Sequence, residues 1–148
     1  MTNPVSNVII ELPCACGNLR RVARIVTRIY DQELKRAGLE ISQHDLLTAM
    51  DKAHKVNQKW LSTVFAMDST TLTRTLGGLR KLGWVKSQPG RDKRERWFSL
   101  TAAGKRKLAE AHPHWEKAQL RLRKALKERG WKVMRETVSM MTKAAKAV

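Results

Sequence analysis

Apolar residues recur at helical spacing in the middle of the chain and mark one amphipathic helix. Leu72, Leu76 and Leu79 fall at i, i+4 and i+7, which places them on one face of a helix. Asp68 precedes this run, and its carboxylate can accept hydrogen bonds from the free N–H groups of a first helical turn. The opposite face carries short hydroxyls and one arginine: Ser69, Thr70, Thr73 and Arg74. This face is therefore polar and basic.

The same spacing predicts helices before this segment. One covers about 18–36, with Gly38 as its stop. The next begins at Ser42, where Asp45 three residues on forms a near capping box. A short helix over 57–66 then leads into the amphipathic helix through a turn.

The last third of the chain also has helical periodicity. A long helix is predicted from Thr101, broken or bent near His112 and Pro113, with a further helix after Gly130. Between these helical parts, the runs WVKSQ and WFSL flank the turn-rich segment PGRDKRER, which predicts a β-hairpin. The hairpin tip is basic: it holds Arg91, Lys93, Arg94 and Arg96 against Asp92 and Glu95.

The order helix, turn, helix, strand, wing, strand predicts a winged helix-turn-helix. We therefore expect a mainly α fold with a small β-hairpin wing, and 148 residues suit a single domain over 1–148. Region 42–104 would form the winged helix-turn-helix, and 1–40 and 108–148 would supply dimerisation helices. Apolar helices at both chain ends would leave an exposed apolar surface on a monomer, so we expect a twofold homodimer.

Charge points to a polyanionic partner. The formal net charge is +17, and the short segment 74–107 holds eleven basic residues against two acidic ones, which is +9 of that excess. Phosphate contacts supply most non-specific DNA affinity, so double-stranded DNA is the expected partner. RNA, an acidic protein and an anionic membrane surface would also satisfy the charge alone.

The run from Met67 to Leu108 resembles the winged helix-turn-helix of MarR-type bacterial transcription regulators. Four motifs carry the resemblance: TLTR at 71–74, LRKLG at 79–83, DKR at 92–94 and LTAAG at 100–104. Helical segments on both sides match the family's dimerisation helices, so the likeness covers nearly the whole chain. It implies a dimeric repressor of a palindromic operator, with two recognition helices about one DNA turn apart.

Three groups of residues are expected to contact DNA in such a regulator. The major groove would be read by Ser69, Thr70, Thr73 and Arg74. The minor groove would receive Arg94 with Arg91 or Lys93. Phosphates would be held by Asn57, Lys59, Arg80 and Lys86. The resemblance also implies that Asp92 holds the wing arginine in position.

The resemblance implies release from DNA by a small aromatic or phenolic acid, or by an oxidant. An acid bound between the dimer helices and the winged helix could use a charged or aromatic group from Arg24, Tyr30, His44 and Trp115. For oxidation, Cys16 stands at the start of the first helix and Tyr30 follows fourteen residues later, which matches the spacing in the peroxide-sensing branch.

That redox constellation is incomplete, because the branch's second tyrosine would fall on Arg20. The alternative for Cys14 and Cys16 is a pair of small thiols packed under a dimer interface. Neither cysteine is expected to form a disulfide with the other, because the two are too close in the chain for an ordinary bridge.

The sequence gives little support for a metal site, an enzyme or a membrane protein. Cys-x-Cys is not the usual zinc spacing, even combined with His44, His112 or His114, so we expect no metal. The chain has no Gly-rich phosphate loop, no G-x-S-x-G and no H-E-x-x-H, so we expect neither enzyme activity nor a cofactor. It also lacks an apolar run of membrane-spanning length and a leader pattern, which predicts a cytoplasmic protein without membrane contact.

Two alternatives remain open at this point. A basic architectural protein that coats DNA without sequence preference would have the same charge. A protein-interaction module would leave the wing arginines unused. Sequence specificity discriminates the first alternative from a repressor, because a repressor prefers one site by several orders of magnitude over bulk DNA.

Overall fold

The computed structural model describes residues 13–92 and 94–146. Its helices are α1 Ala15–Leu34, α2 Ile41–Ala53, α3 Gln58–Phe65, α4 Ser69–Lys81 and α5 Ala102–Ala145, with a 3₁₀ helix Lys35–Ala37 after α1. Its strands are β1 Val56–Asn57, β2 Val85–Pro89 and β3 Arg96–Leu100. They form one antiparallel sheet in the order β1-β3-β2. The predicted mainly α class with a hairpin wing is confirmed, and β1 is an unpredicted third strand.

One hydrophobic core joins the helices to the sheet. The predicted stripe of α4 is buried, with Leu72, Leu76 and Leu79 at most 2% exposed. The other four α-helices and strand β3 contribute one or more buried side chains each: Leu34, Leu47, Leu61, Phe98, Ala111 and Ala118. The side of α4 opposite its leucines is therefore left facing solvent.

The start of α2 differs from the prediction. The helix begins at Ile41, and its capping box is formed by Glu40 and Gln43 instead of Ser42 and Asp45. The Glu40 N–H donates to Gln43 Oε1 at 3.0 Å, and Asp31 Oδ1 accepts from the Ile41 N–H at 2.7 Å. A carboxylate from α1 thus satisfies a free donor of α2, which the local sequence could not indicate.

The last helix is not broken near His112 and Pro113 as predicted, whereas the further helix predicted after Gly130 is present and begins slightly earlier. The helix continues through Pro113, and the break lies at Lys127, where φ is 56° and ψ is 169°. Pro113 removes the hydrogen bond to the carbonyl of Ala109, and because Ala109 is exposed, water can replace that bond. Two hydrogen bonds of 2.8 and 2.9 Å from Arg123 to Glu128 span the real break.

A buried carboxylate ties α1 to α5. Glu33 is only 4% exposed, and its oxygens lie 3.0 Å from Arg121 Nη1, 3.3 Å from Lys117 Nζ and 3.7 Å from Arg36 Nη1. Burial alone would raise the pKa of this carboxyl, but the hydrogen bonds and charges of Lys117, Arg36 and Arg121 outweigh it. The pKa of Glu33 therefore lies below its ordinary value of 4.5.

The junction between the sheet and α5 is set by a threonine and a glycine. Thr101 Oγ1 accepts from the Gly104 N–H at 3.0 Å and donates to the Gly83 carbonyl at 2.6 Å, while the Thr101 N–H donates to the Trp84 carbonyl at 3.0 Å. A Cβ at Gly104 would lie 2.0 Å from that same Trp84 oxygen. The first turn of α5 can approach the start of β2 this closely only because residue 104 has no side chain.

This contact predicts the effect of Gly104→Ala on stability. The added methyl collides with backbone, so the free energy of unfolding should fall by about 1–3 kcal/mol or more, as in other overpacked sites. Gly78→Ala is the matched control, because a Cβ there meets nothing within 4 Å, and it should stabilise α4 by about 0.5–1 kcal/mol. Urea denaturation at equal protein concentration measures both. Equal stability of the two variants would contradict the account of the junction.

The lowered pKa of Glu33 predicts a pH dependence. A carboxyl whose pKa is lower in the folded state stabilises the fold above its unfolded pKa, and that contribution is lost as the pH falls through the folded pKa. Below pH 4.5 the free energy of unfolding of the wild type should therefore fall more steeply than that of Glu33→Gln.

Glu136→Gln is the control for this comparison, because Glu136 is exposed and its ion-pair contact with Lys132 is 3.9 Å long. Urea midpoints at intervals from about pH 3 to about pH 7, which span the ordinary carboxyl pKa values, measure the slopes. If Glu33→Gln follows the same slope as the wild type and Glu136→Gln, the Glu33 cluster does not stabilise the fold.

Candidate nucleic-acid interface

Helix α4 begins at a fully formed N-cap. Asp68 Oδ1 accepts from the Thr71 N–H at 2.8 Å, and Asp68 Oδ2 accepts from the Thr71 hydroxyl at 2.6 Å. The Thr71 hydroxyl and then its N–H lower the pKa of Asp68, because both stabilise the carboxylate. The predicted N-cap is thus confirmed. The four side chains predicted to read bases all lie exposed on the polar face of α4: Ser69, Thr70, Thr73 and Arg74.

Helix α3 is joined to α4 by a side chain that sequence reasoning did not identify. Gln58 Nε2 donates to Thr73 Oγ1 at 2.7 Å and lies 3.5 Å from the Ser69 carbonyl. A second bond closes the turn between the helices, where the Ser62 hydroxyl donates to the Met67 carbonyl at 2.6 Å. These contacts hold the exposed face of α4 at a fixed angle to α3.

Asn57 joins α3 to the hairpin. Its Oδ1 accepts from the Trp60 N–H at 2.8 Å, and its Nδ2 donates to Glu95 Oε1 at 2.7 Å. Asn57 is therefore the N-cap of α3 and a brace to the wing at once, and one N–H of its amide is left for a further partner. Glu95 is the second functional residue that the sequence did not reveal, since an acid in a basic loop gives no sign of its partner.

The wing turn is ordered by Asp92 and by backbone bonds. The Arg94 N–H donates to Asp92 Oδ1 at 2.9 Å, the Glu95 N–H to the Asp92 carbonyl at 2.9 Å, and the Gly90 N–H to the Glu95 carbonyl at 2.7 Å. Asp92 thus holds the backbone of Arg94 by a hydrogen bond. The Arg94 side chain is exposed to solvent. Lys93, one of the predicted minor-groove residues, lies outside the described residues.

The basic side chains predicted to contact DNA are exposed and gather in two clefts. The first cleft lies between the start of α3 and the wing, where Asn57 and Lys59 face Arg94. The second lies between the end of α4 and β2, where Arg80 faces Lys86. Arg91 is exposed at the wing tip. Among the described residues, the cations predicted to contact DNA are therefore all exposed, and they lie on α3, α4, β2 and the wing.

Three of the four predicted effector residues lie on the packed helices α1, α2 and α5, and two of them, His44 and Trp115, are in contact. The Tyr30 hydroxyl donates to Gln119 Oε1, and burial raises the pKa of that hydroxyl, with the Asp45 carboxylate adding to the rise. The His44 ring stacks on Trp115 with centroids 5.8 Å apart and planes 12° apart. His44 is buried and its Nδ1 has no hydrogen-bond partner within the described chain.

Arg24, the fourth predicted effector residue, makes none of these contacts. It is exposed on α1, about 9 Å along the axis from Tyr30 at 1.5 Å per residue. An acid held at the junction would therefore have to draw Arg24 inward or use another cation. The prediction that the four residues line one effector pocket therefore stays a prediction, for which the structure shows direct contact only between His44 and Trp115.

The two cysteines stand at the beginning of α1. Cys14 is its N-cap and Cys16 lies in its first turn, and both thiols are free and exposed. Cys16 and Tyr30 are separated by about 21 Å along the helix axis, so they cannot meet within one chain. In residues 13–92 and 94–146, no group of three His, Cys, Asp or Glu side chains could hold a metal ion. No helix in this part of the chain is long and apolar enough to cross a membrane.

Comparisons with known proteins agree with this geometry. A family model described as MarR family matches residues 37–95. The crystal structure of the transcriptional regulator MosR from Mycobacterium tuberculosis, in complex with DNA, is similar with a TM-score of 0.81 and 30% identity, over 90% of this chain and 97% of that chain.

Two further relatives are more distant. A mutant of MarR from Escherichia coli complexed with operator DNA shares the fold with a TM-score of 0.78 and 22% identity, over 85% of this chain and 91% of that chain. The uncharacterized HTH-type transcriptional regulator YwoH from Bacillus subtilis is 29% identical over 92 residues, which is 62% of this chain and 67% of that protein. The relatives are transcription regulators rather than enzymes. The chain therefore belongs to the MarR family of winged-helix transcription regulators.

Proposed function

We propose that this protein is a dimeric repressor that occupies a palindromic operator, with α4 in the major groove and the wing in the minor groove. The observation that carries the proposal is the exposed polar face of α4, held at its start by the Asp68 cap and braced to α3 by Gln58. MosR and a MarR mutant were crystallised with DNA, which supports a DNA partner for this related chain.

The polar face of α4 has the chemistry for reading bases. Arg74 can fork onto the O6 and N7 atoms of a guanine, and the hydroxyls of Ser69, Thr70 and Thr73 can contact bases or phosphates. All four side chains are exposed, and the bond that Thr73 accepts from Gln58 leaves the Thr73 hydroxyl hydrogen available to DNA. The N-terminal turn of a helix also attracts phosphate through its free N–H groups.

The wing and the two basic clefts complete the surface. Arg94 would enter the minor groove beside the contact of α4, because Asp92 fixes the backbone N–H of Arg94 and leaves its guanidinium exposed. Arg91 and Lys93 would add charge at the same tip. Phosphates would be held by the residues of the clefts, namely Asn57, Lys59, Arg80 and Lys86.

Uncovered apolar helix faces support the dimer. On α1, Leu19, Val22 and Ile25 are 48–56% exposed, and on α5 Val133, Val138 and Met140 are 52–64% exposed. Large apolar side chains at helical spacing are unusual on a free surface and indicate a protein contact. A second copy of the chain that covers both faces would place two α4 helices on one side, as a palindromic site requires.

Two release mechanisms are consistent with the side chains. A small aromatic or phenolic acid could insert at the junction of α1, α2 and α5, where the buried Nδ1 of His44 makes no hydrogen bond and lies 3.7 Å from Asp45 Oδ1, beside the Trp115 ring. Alternatively, oxidation could act on Cys14 and Cys16, which are exposed at the start of α1 next to the proposed dimer contact. Cys16 and Tyr30 could act together only across two chains.

Selection from random duplex DNA tests the repressor proposal. The full chain should enrich an inverted repeat, and the enriched duplex should bind at least about a thousandfold more tightly than bulk DNA at physiological salt. Binding to both should weaken with salt, because phosphate contacts release counterions. If no sequence is enriched while salt-dependent binding persists, the protein coats DNA without specificity.

The enriched duplex then serves to test release. Benzoate and hydrogen peroxide are added separately to the complex, and the peroxide arm is repeated with Cys14→Ser/Cys16→Ser. Loss of binding with peroxide in the wild type but not in the double variant supports the thiols as sensor. Loss with benzoate supports the acid site. If the complex persists with both compounds, both release mechanisms are excluded. The proposal of a specific operator is not affected by that result.

Arg94→Ala should weaken operator binding by more than about 1 kcal/mol, as is typical of a groove contact. Arg96→Ala is the matched control, because Arg96 is exposed on the same hairpin and its removal changes the charge equally. The control should weaken operator and bulk DNA alike, whereas Arg94→Ala should weaken the operator more. Fluorescence anisotropy with both duplexes measures this, and an unchanged operator affinity would remove the wing assignment.

A further inference from the structure

The orientation of the Gln58 side-chain amide is fixed by its two neighbours. Its nitrogen lies 2.7 Å from Thr73 Oγ1 and 3.5 Å from the Ser69 carbonyl. A carbonyl oxygen only accepts hydrogen bonds, so the amide nitrogen, with its two hydrogens, must face Ser69 and Thr73. The Thr73 oxygen is therefore an acceptor in this contact, although a hydroxyl could serve either way.

This contact leaves the Thr73 hydroxyl hydrogen available to an outside partner. Thr63 and Thr75 donate their hydroxyls to the carbonyl four residues earlier in the same helix, at 3.0 Å in each case. Thr73 makes no such bond among the described residues, and the carbonyl that it would use, that of Ser69, faces Gln58 instead. Thr73 is exposed on the polar face of α4, so its O–H is free to meet DNA.

We propose that Gln58 fixes Thr73 as a hydrogen-bond donor to the N7 atom of a purine in the operator. A hydroxyl that accepts one hydrogen bond becomes a stronger donor of its own hydrogen, so the Gln58 contact favours this direction. N7 is an acceptor that both purines present in the major groove, and it lies close to the backbone, where a short side chain reaches it. Gln58 is then a positioning residue, and it sets specificity without touching a base.

This inference rests on the proposed placement of α4 in the major groove. It adds a direction to one contact: the base position opposite Thr73 must offer an acceptor. If the Thr73 hydroxyl instead donated to Gln58, its oxygen would accept from DNA, and the threonine would prefer an amino group of adenine or cytosine. The distinction can be measured by deleting the acceptor from the DNA while the protein stays unchanged.

The test uses the selected operator with 7-deazapurines, which carry C–H in place of N7. Each purine of the half-site is replaced in turn, in both half-sites together, and dissociation constants are measured at one salt concentration. One position should weaken wild-type binding about five- to a hundredfold, which corresponds to one ordinary hydrogen bond per half-site. At that position, Thr73→Val should bind natural and substituted DNA equally, and Thr73→Ser should keep the difference.

Gln58→Glu tests the positioning role. A carboxylate accepts only, so the Thr73 hydroxyl must turn inward to donate to it, and the 7-deaza penalty at that position should disappear. Gln88→Glu on β2 is the control for the added negative charge, because Gln88 is exposed, pairs with Trp97 of β3 and makes no hydrogen bond to Thr73. It should lower affinity generally and keep the penalty. Gln58→Met, which removes the donors without adding charge, should reduce the penalty.

The outcomes separate this inference from the function on which it rests. A 7-deaza penalty that is lost in Thr73→Val and Gln58→Glu and kept in Gln88→Glu supports the donor assignment. A specific operator with no sensitive purine, or a penalty that survives in Thr73→Val or Gln58→Glu, overturns the inference and leaves the repressor proposal standing. If the wild type enriches no operator, the proposed function fails and the inference fails with it.

Discussion

The close approach of the first turn of α5 to the start of β2 is the contact on which the arrangement of the molecule depends. The Trp84 carbonyl accepts from Thr101 and sits where a side chain on Gly104 would be. Lys107, one turn further, donates to the Ala37 carbonyl at 3.2 Å and lies 5.5 Å above the Trp84 ring. The sheet, the wing and the end of α1 are thereby fastened to one side of α5.

From that junction, α5 extends to the proposed dimer and effector regions. Its Lys117 and Arg121 hold the buried Glu33 of α1, and its Trp115 stacks on His44 of α2. A ligand or oxidant that shifts α1 against α5 would therefore displace the same helix that fixes the wing. Helix α5 thus connects the two regions, and the release experiments determine whether the proposed repressor uses this connection.

The sequence predicted those parts of the fold that depend on neighbours in the chain. Leu72, Leu76 and Leu79 were identifiable because helical periodicity reports burial, and Asp68 because an N-cap bonds within its own turn. A further helix was predicted after Gly130, but the position of the break at Lys127 was not, because lysine has no intrinsic preference for a positive φ and only surrounding contacts impose it. Pro113 led to the wrong prediction of a break, because an exposed helical turn tolerates the hydrogen bond that proline cannot make.

In the candidate interface, too, local features were predictable from the sequence and long-range contacts were not. The exposed cations of α4 and the wing followed from composition and spacing, but the bonds that orient them did not. Gln58 with Thr73 and Asn57 with Glu95 join residues 15 and 38 positions apart, and only the folded chain brings them together. Their side chains carry no pattern that marks a partner. The sequence thus predicted a basic surface for DNA, and the structure shows which contacts hold that surface in place.

The most direct measurement of the central claim is a structure of the full chain bound to its selected operator. The account predicts the N-terminal half of α4 in the major groove, with Arg74 on a base edge and Arg94 in the neighbouring minor groove. It also predicts two such contacts related by a twofold axis. DNA bound across another face, with the polar side of α4 left in solvent, would contradict the account.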